Sequence, residues 1–143
     1  MKTLLISFLL VLSITSANAQ EWQMDINKAK EIATAKNQNI ILVFQGSDWC
    51  SPCIKLEKEI WNSEVFIDYS EDNFVLLKAD FPRREKNKLS EEQQKKNSLL
   101  AEKYNTQGFF PLVVVLDFNG KVLGMTGYEK VTPKKYIKIL TSF

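Results

Sequence analysis

The sequence predicts an α/β domain: one mixed sheet with an antiparallel C-terminal hairpin and helices on both faces. Short runs rich in Val, Ile and Leu, typical of buried strands, alternate along the chain with longer segments of helical period. Strands separated by helices are expected to pair in parallel through right-handed crossovers. Asn119-Gly120, a strong hairpin signal, joins the last two apolar segments and adds the antiparallel edge.

The first 19 residues are predicted to be a secretory signal peptide, which leaves residues 20–143 as a single domain. Lys2 provides the positive start, residues 4–14 form a short apolar run, and Ala17-Asn18-Ala19 matches a cleavage site. The run is too short to cross a bilayer comfortably, so no stable membrane insertion is expected after cleavage. An uncleaved N-terminal anchor is the alternative.

The composition is that of an ordinary globular domain. Of the 143 residues, 45% are hydrophobic, and 19 Lys and Arg balance 17 Asp and Glu to a net charge of +2. This near balance argues against a nucleic-acid partner. We expect a monomer in an exported, periplasmic location, where disulfides persist.

The first half of the domain is expected to hold two strands and three helices. A short strand near 22–24 precedes a helix that Asp25 caps and that ends at about residue 36. The run 40–44 is apolar throughout, as in a strand buried on both faces. A helix over 51–61 follows, then a shorter one near 65–69. The side chains expected to face inward from the longer helix are Cys53, Ile54, Leu56, Ile60 and Trp61.

The second half supplies the remaining elements. A strand is predicted over 74–80, and Ser90 with Gln93 forms a capping box for a helix over 91–104. The run 112–117, which is apolar up to Asp117, is expected to make another buried strand, and 121–126 to form the second arm of the hairpin. Thr132-Pro133 then begins a closing helix that reaches about residue 141.

Cys50 and Cys53 are the only cysteines, and they lie where the strand 40–44 runs into the helix 51–61. A crosslink over two intervening residues removes little unfolded-state entropy, so the pair indicates redox chemistry rather than a structural staple. An inert thiol pair or a static disulfide is the alternative. Two cysteines without any histidine fall short of the four ligands of a zinc site and exclude a Cys-His mechanism. We therefore expect no metal. No bound cofactor is expected either, since a redox-active cysteine pair carries the electrons itself.

The segment Trp49-Cys50-Ser51-Pro52-Cys53, together with Phe110-Pro111 just before a strand, resembles the thioredoxin family. The run 44–50 is similar to that of exported, single-domain thioredoxin-like disulfide reductases and isomerases. Cys50, at a helix N-terminus that favours its thiolate, is expected to attack the substrate, and Cys53 to resolve the mixed disulfide. The resemblance implies a cis bond at Phe110-Pro111.

The same resemblance suggests further roles. Trp49, Ser51, Pro52, Phe110 and Pro111 are expected to shape the substrate surface, although Trp49 is equally compatible with packing. Phe44 stands where thioredoxin has a buried aspartate.

Two charged residues are candidates for proton transfer or electrostatic effects. Lys78 resembles a lysine near the cysteines of thioredoxin, with a solvated strand-end charge as the alternative. Asp48 is expected at the mouth of the site, where it would cap the helix or raise the Cys50 pKa slightly. The stretch 83–96 mixes both signs of charge, which favours solvated surface over a docking site.

The function these features predict is an exported thiol–disulfide oxidoreductase that reduces or isomerises protein disulfides. By resemblance, a membrane-spanning thiol-transfer protein would regenerate it. The alternative is a thioredoxin-fold binding or chaperone module whose cysteines are not catalytic.

Overall fold

The computed structural model describes residues 20–143, so the predicted signal peptide at 1–19 lies outside the described residues. The strands are β1 (Trp22–Gln23), β2 (Asn39–Gln45), β3 (Phe74–Asp80), β4 (Leu112–Leu116) and β5 (Val122–Thr126). The helices are α1 (Ile26–Lys36), α2 (Ser51–Leu56), α3 (Glu64–Asn73), α4 (Glu91–Tyr104) and α5 (Pro133–Thr141). A π-helical turn, Glu57–Trp61, extends α2, and a 3-10 turn, Glu85–Asn87, lies in the loop after β3.

The strands form one mixed sheet in the order β1-β3-β2-β4-β5. β3 pairs in parallel with both β1 and β2, and β4 with β5 forms the predicted antiparallel hairpin. The expectation that strands separated by helices pair in parallel is wrong for β4, which runs antiparallel to β2. β3 ends beside Gln45, and β4 begins beside Phe44. Because the connection through α4 starts and finishes at the same end of the sheet, β4 has to run in the direction opposite to β3 and β2.

Two apolar layers lie on opposite faces of the sheet. Alternate residues of β2 point to each face, with Ile40, Leu42 and Phe44 on the side of α1 and α4. Ile41 and Val43 point to the side of α2, α3 and α5. Both faces are covered, which explains why β2 and β4 are apolar at nearly every position.

Local sequence signals place the helix starts as predicted. Of the predicted capping box, only the Ser90 half is formed among the described residues, and the Gln93 side chain donates to the Met24 carbonyl and to Asn97 Oδ1. Asp25, Ser90 and Thr132 each accept a hydrogen bond from a backbone N–H in the first turn of α1, α4 and α5 respectively. Ser63 caps α3 in the same way, and α3 is longer than the short helix expected near 65–69.

The predicted inward side of the helix after Cys50 requires one correction. Cys53, Leu56, Ile60 and Trp61 are buried, but Ile54 is 48% exposed. At 3.6 residues per turn, Ile54 lies about 200° around the helix from Leu56, so the two cannot share a face. Among residues 20–143, no helix has the length and apolarity needed to cross a bilayer.

Candidate active site

A tight turn after β2 carries the two cysteines. The carbonyl of Gly46 accepts hydrogen bonds from the N–H groups of Trp49, at 3.3 Å, and Cys50, at 2.9 Å. Cys50 is the N-cap residue of α2 and forms a disulfide with Cys53, their Cα atoms 5.2 Å apart. Pro52 lies in the first turn of α2, where its missing N–H has no intrahelical partner to lose. The sequence therefore placed this pair correctly at a strand-to-helix junction.

Both cysteines are largely covered. Cys50 is 5% exposed and Cys53 is 3% exposed. The N–H of Gly46 donates to the sulfur of Cys53 at 3.5 Å. In the disulfide form the two cysteines are thus buried to nearly the same extent.

Trp49 is held from several sides. Its Nε1–H donates to the carbonyl of Phe81 at 2.7 Å, and its ring lies 5.5 Å from that of Phe110. A Cβ atom at Gly46 would overlap the indole, so only glycine fits beneath it. Trp49 is therefore partly packed, in agreement with one of the two predicted alternatives, while its role in shaping a substrate surface stays a prediction.

The peptide bond between Phe110 and Pro111 is cis, which confirms the expectation. It directly precedes Leu112, whose partner in the sheet is Phe44 of β2. The cis bond thus lies at the edge of the sheet where β2 runs on towards Cys50.

The loop before this bond is held by a side chain, Asn105, that the sequence alone did not single out. The side-chain amide of Asn105 both donates to the carbonyl and accepts from the N–H of Phe109, each at 2.9 Å. Phe109 is 57% exposed beside Phe110. The signal in the sequence is an asparagine at the end of α4, four residues before the aromatic pair.

Asp48 does not cap α2, and that part of the prediction is wrong. Its carboxylate accepts hydrogen bonds from the N–H groups of Arg83, at 2.9 Å, and Arg84, at 3.0 Å, and from the Asn87 side chain at 2.9 Å. The Arg83 N–H, followed by the Asn87 amide, lowers the pKa of Asp48 to about 2. Asp48 therefore anchors the loop after β3 against the turn that carries Cys50.

Lys78 is not a solvated strand-end charge. Its side chain is 22% exposed, with Nζ 3.9 Å from a carboxylate oxygen of Glu57 and 4.8 Å from the centre of the Trp22 ring. Glu57 lies one turn beyond Cys53, and its N–H donates to the Cys53 carbonyl. Glu57 and Lys78 thus form an ion pair one helical turn beyond Cys53. Phe44, at the position of the buried aspartate of thioredoxin, is fully buried.

Within residues 20–143, no three Cys, Asp or Glu side chains are arranged to hold a metal ion. The arrangement offers thiol–disulfide exchange, because a disulfide lies at the start of a helix. A cis-proline and a cluster of aromatic rings lie in the neighbouring loops.

Comparison with known proteins gives the family. A thioredoxin-like family model matches residues 21–117. The chain belongs to the thioredoxin-like family. A Chlamydia pneumoniae relative called disulfide bond reductase DsbH is 35% identical over 129 residues, which cover 90% of this chain and 75% of the relative.

Solved structures of thioredoxin-like proteins have the same fold as this chain. A structure titled DsbH oxidoreductase is similar with a TM-score of 0.77 and 33% identity, over 85% of this chain and 82% of the other. A disulphide isomerase from Xylella fastidiosa Temecula1 has a TM-score of 0.61 at 21% identity, over 82% and 86% of the two chains. The second likeness concerns the fold alone. The thioredoxin-like α/β fold predicted from the sequence is confirmed.

Proposed function

We propose that this protein is a thiol–disulfide oxidoreductase that reduces or isomerises protein disulfides through Cys50 and Cys53. The observation that carries the proposal is the disulfide at the start of α2, in a thioredoxin-like chain 35% identical to a disulfide bond reductase. The pair is joined across one helical turn, so it can open and close without rearranging the sheet.

In the reducing direction, the Cys50 thiolate attacks one sulfur of a substrate disulfide and forms a mixed disulfide. The other substrate sulfur leaves as a thiolate and takes a proton from water. The Cys53 thiolate then attacks the Cys50 sulfur, which releases the second substrate thiolate and closes the Cys50–Cys53 disulfide. Two electrons pass from the enzyme dithiol to the substrate, so no bound cofactor is needed.

The neighbouring residues have supporting roles in this proposal. The rings of Trp49 and Phe110, whose centres lie 5.5 Å apart, form one wall beside the cysteines. The backbone at Pro111 offers an edge for an extended substrate segment, and Ser51 with Pro52 forms the exposed start of α2. We assign Lys78, paired with Glu57, as a candidate for assisting proton transfer at Cys53.

Regeneration requires a supply of electrons. We propose that the protein acts after export, in the periplasm, as a monomer, and that a membrane-bound thiol-transfer protein reduces its disulfide. The predicted signal sequence at 1–19 supports export. Intact mass of the protein from its producing cells tests this point, since cleavage after Ala19 leaves Gln20 as the first residue.

Insulin reduction with dithiothreitol as electron source tests the reaction. The wild-type protein should accelerate precipitation of the insulin B chain, and Cys50→Ser should abolish the effect. Val65→Ser, an exposed change on α3, is the matched control and should keep full activity. No acceleration by the wild-type protein would instead support the binding or chaperone module, whose cysteines are not catalytic.

The redox potential tests the direction. Ser51-Pro52 places no cation between the cysteines, so we expect a value on the reducing side, at roughly −200 to −270 mV. Equilibration with glutathione or thioredoxin measures it. A value near the strong-oxidant limit of about −120 mV would make the protein a disulfide donor.

A further inference from the structure

The loop between β3 and α4 is fastened to the turn that carries the cysteines. Asp48 accepts three hydrogen bonds from this loop, two of them from backbone N–H groups. At the base of the loop, Asp80 accepts from the N–H of Ser47 at 2.9 Å and from its hydroxyl at 2.6 Å. Both carboxylates are therefore engaged in holding the two segments together.

Arg83 lies on the tryptophan that precedes Cys50. Its guanidinium carbon is 3.7 Å from the centre of the Trp49 ring, which is a close cation–π contact. Stacking uses the flat face of the guanidinium, whereas its N–H groups point outward from the edge in the plane of the group. Those N–H groups have the geometry to bind a carboxylate in a bidentate manner.

Three cationic side chains of this loop are exposed and form no ion pair within residues 20–143. Arg83 and Arg84 are the only arginines of the chain, and both are exposed together with Lys86. Across residues 20–143, none of the three has a carboxylate within ion-pair distance, whereas Lys88 pairs with Glu85 at 3.9 Å. Among the described residues, the rim beside Cys50 thus presents two guanidinium groups without an ion-pair partner, although the Asp48 carboxylate bound to their backbone offsets part of that charge.

We propose that Arg83 is a specificity residue that favours polypeptide substrates with an acidic side chain next to the disulfide being reduced. This inference rests on the proposed function, because the acidic group is recognised while the substrate sulfur is at Cys50. A carboxylate one or two residues from the substrate cysteine would meet the edge of the guanidinium that Trp49 holds in place. The near-neutral chain and the small size of the rim favour a local acidic group over a nucleic acid.

The test uses three short peptides, each with one disulfide flanked by Glu, Gln or Lys. With the wild-type protein at low salt and dithiothreitol as electron source, kcat/KM should be highest for the Glu peptide, lower for the Gln peptide and lowest for the Lys peptide. Arg83→Gln should reduce the Glu-to-Lys ratio about fivefold, the upper range for an exposed ion pair. Arg83→Lys should restore part of the ratio, and 0.5 M salt should narrow it in the wild-type protein.

Arg84→Gln is the matched control, since it removes the same charge one residue away without the Trp49 contact. It should change the ratio less than twofold. Equal kcat/KM for the three peptides, or equal effects of the two glutamine variants, would overturn the assignment to Arg83 while leaving the proposed function intact. Reduction of insulin but of none of the peptides would overturn this inference alone, whereas failure to reduce either substrate would overturn the proposed function as well.

Discussion

Replacing Gly46 by Ala should destabilise the protein through a single steric conflict. The new Cβ would overlap the indole of Trp49, which is held by a hydrogen bond to the Phe81 carbonyl and by a tilted contact with the ring of Phe110. The backbone at Gly46 does not have a positive φ, so the alanine suffers no strain of its own. The cost comes from displacing the ring.

The magnitude follows from three contributions. Overpacking of a tight site costs about 1–3 kcal/mol, and loss of the Trp49–Phe81 hydrogen bond costs about 1 kcal/mol. The lower entropy of the unfolded chain returns about 0.4–1 kcal/mol. We expect the free energy of unfolding to fall by about 1–3 kcal/mol, and insulin reduction to slow because Trp49 lies next to Cys50.

Urea unfolding of the oxidised protein, followed by far-ultraviolet circular dichroism, measures the effect without relying on tryptophan fluorescence. Gly127→Ala is the matched control, since its Cβ would lie 3.4 Å from the Pro111 carbonyl, close to an ordinary contact. It should be neutral or slightly stabilising.

A double-mutant cycle decides the cause. In a Trp49→Ala background the conflict is removed, so Gly46→Ala should cost almost nothing, with a coupling energy of about 2 kcal/mol. The same cost in both backgrounds would refute the role given to the indole.

Three further predictions concern the site and its support. Cys53→Ser should trap mixed disulfides between Cys50 and substrate, seen by non-reducing electrophoresis; no adducts would contradict the assigned order of attack. Asn97→Ala should cost about 1–3 kcal/mol in urea unfolding, because the fully buried amide donates to the Asp80 carbonyl at 2.8 Å. The pKa of Asp48 is lowered from 3.8 to about 2, so its contribution to stability is complete above pH 3.8 and lost as pH falls through 2. Carboxyl-carbon NMR should show that midpoint for Asp48, and a midpoint near 4 would mean that the loop contacts are absent in solution.

The elements that the sequence predicted well depend on neighbouring residues. An unbroken apolar run predicts the buried strand β2, and Asp25 and Ser90 mark the helix starts with side chains that reach N–H groups two or three residues away. The spacing of Cys50 and Cys53 is likewise local, since one helical turn joins them. Such signals need no knowledge of the rest of the chain.

One mistake, the inward placement of Ile54, was an error of local helix geometry. The other two arise where distant segments meet. The direction of β4 depends on which edge of the sheet the chain returns to after α4, and no residue of β4 encodes that. Asp48 looked like a cap for the nearest helix, yet its partners lie 35 to 39 positions further along the chain.

The sequence by itself determined the fold family, the order of the strands and helices along the chain, and the pair of cysteines that carries the proposed chemistry. Only the tertiary structure decided what surrounds that pair. The loop after β3 brings Arg83 onto Trp49, and Glu57 meets Lys78, because the parallel pairing of β2 and β3 aligns the ends of both strands at one edge of the sheet. Periodicity and spacing report on local geometry, whereas charge and specificity at the site depend on contacts that form only when the sheet assembles.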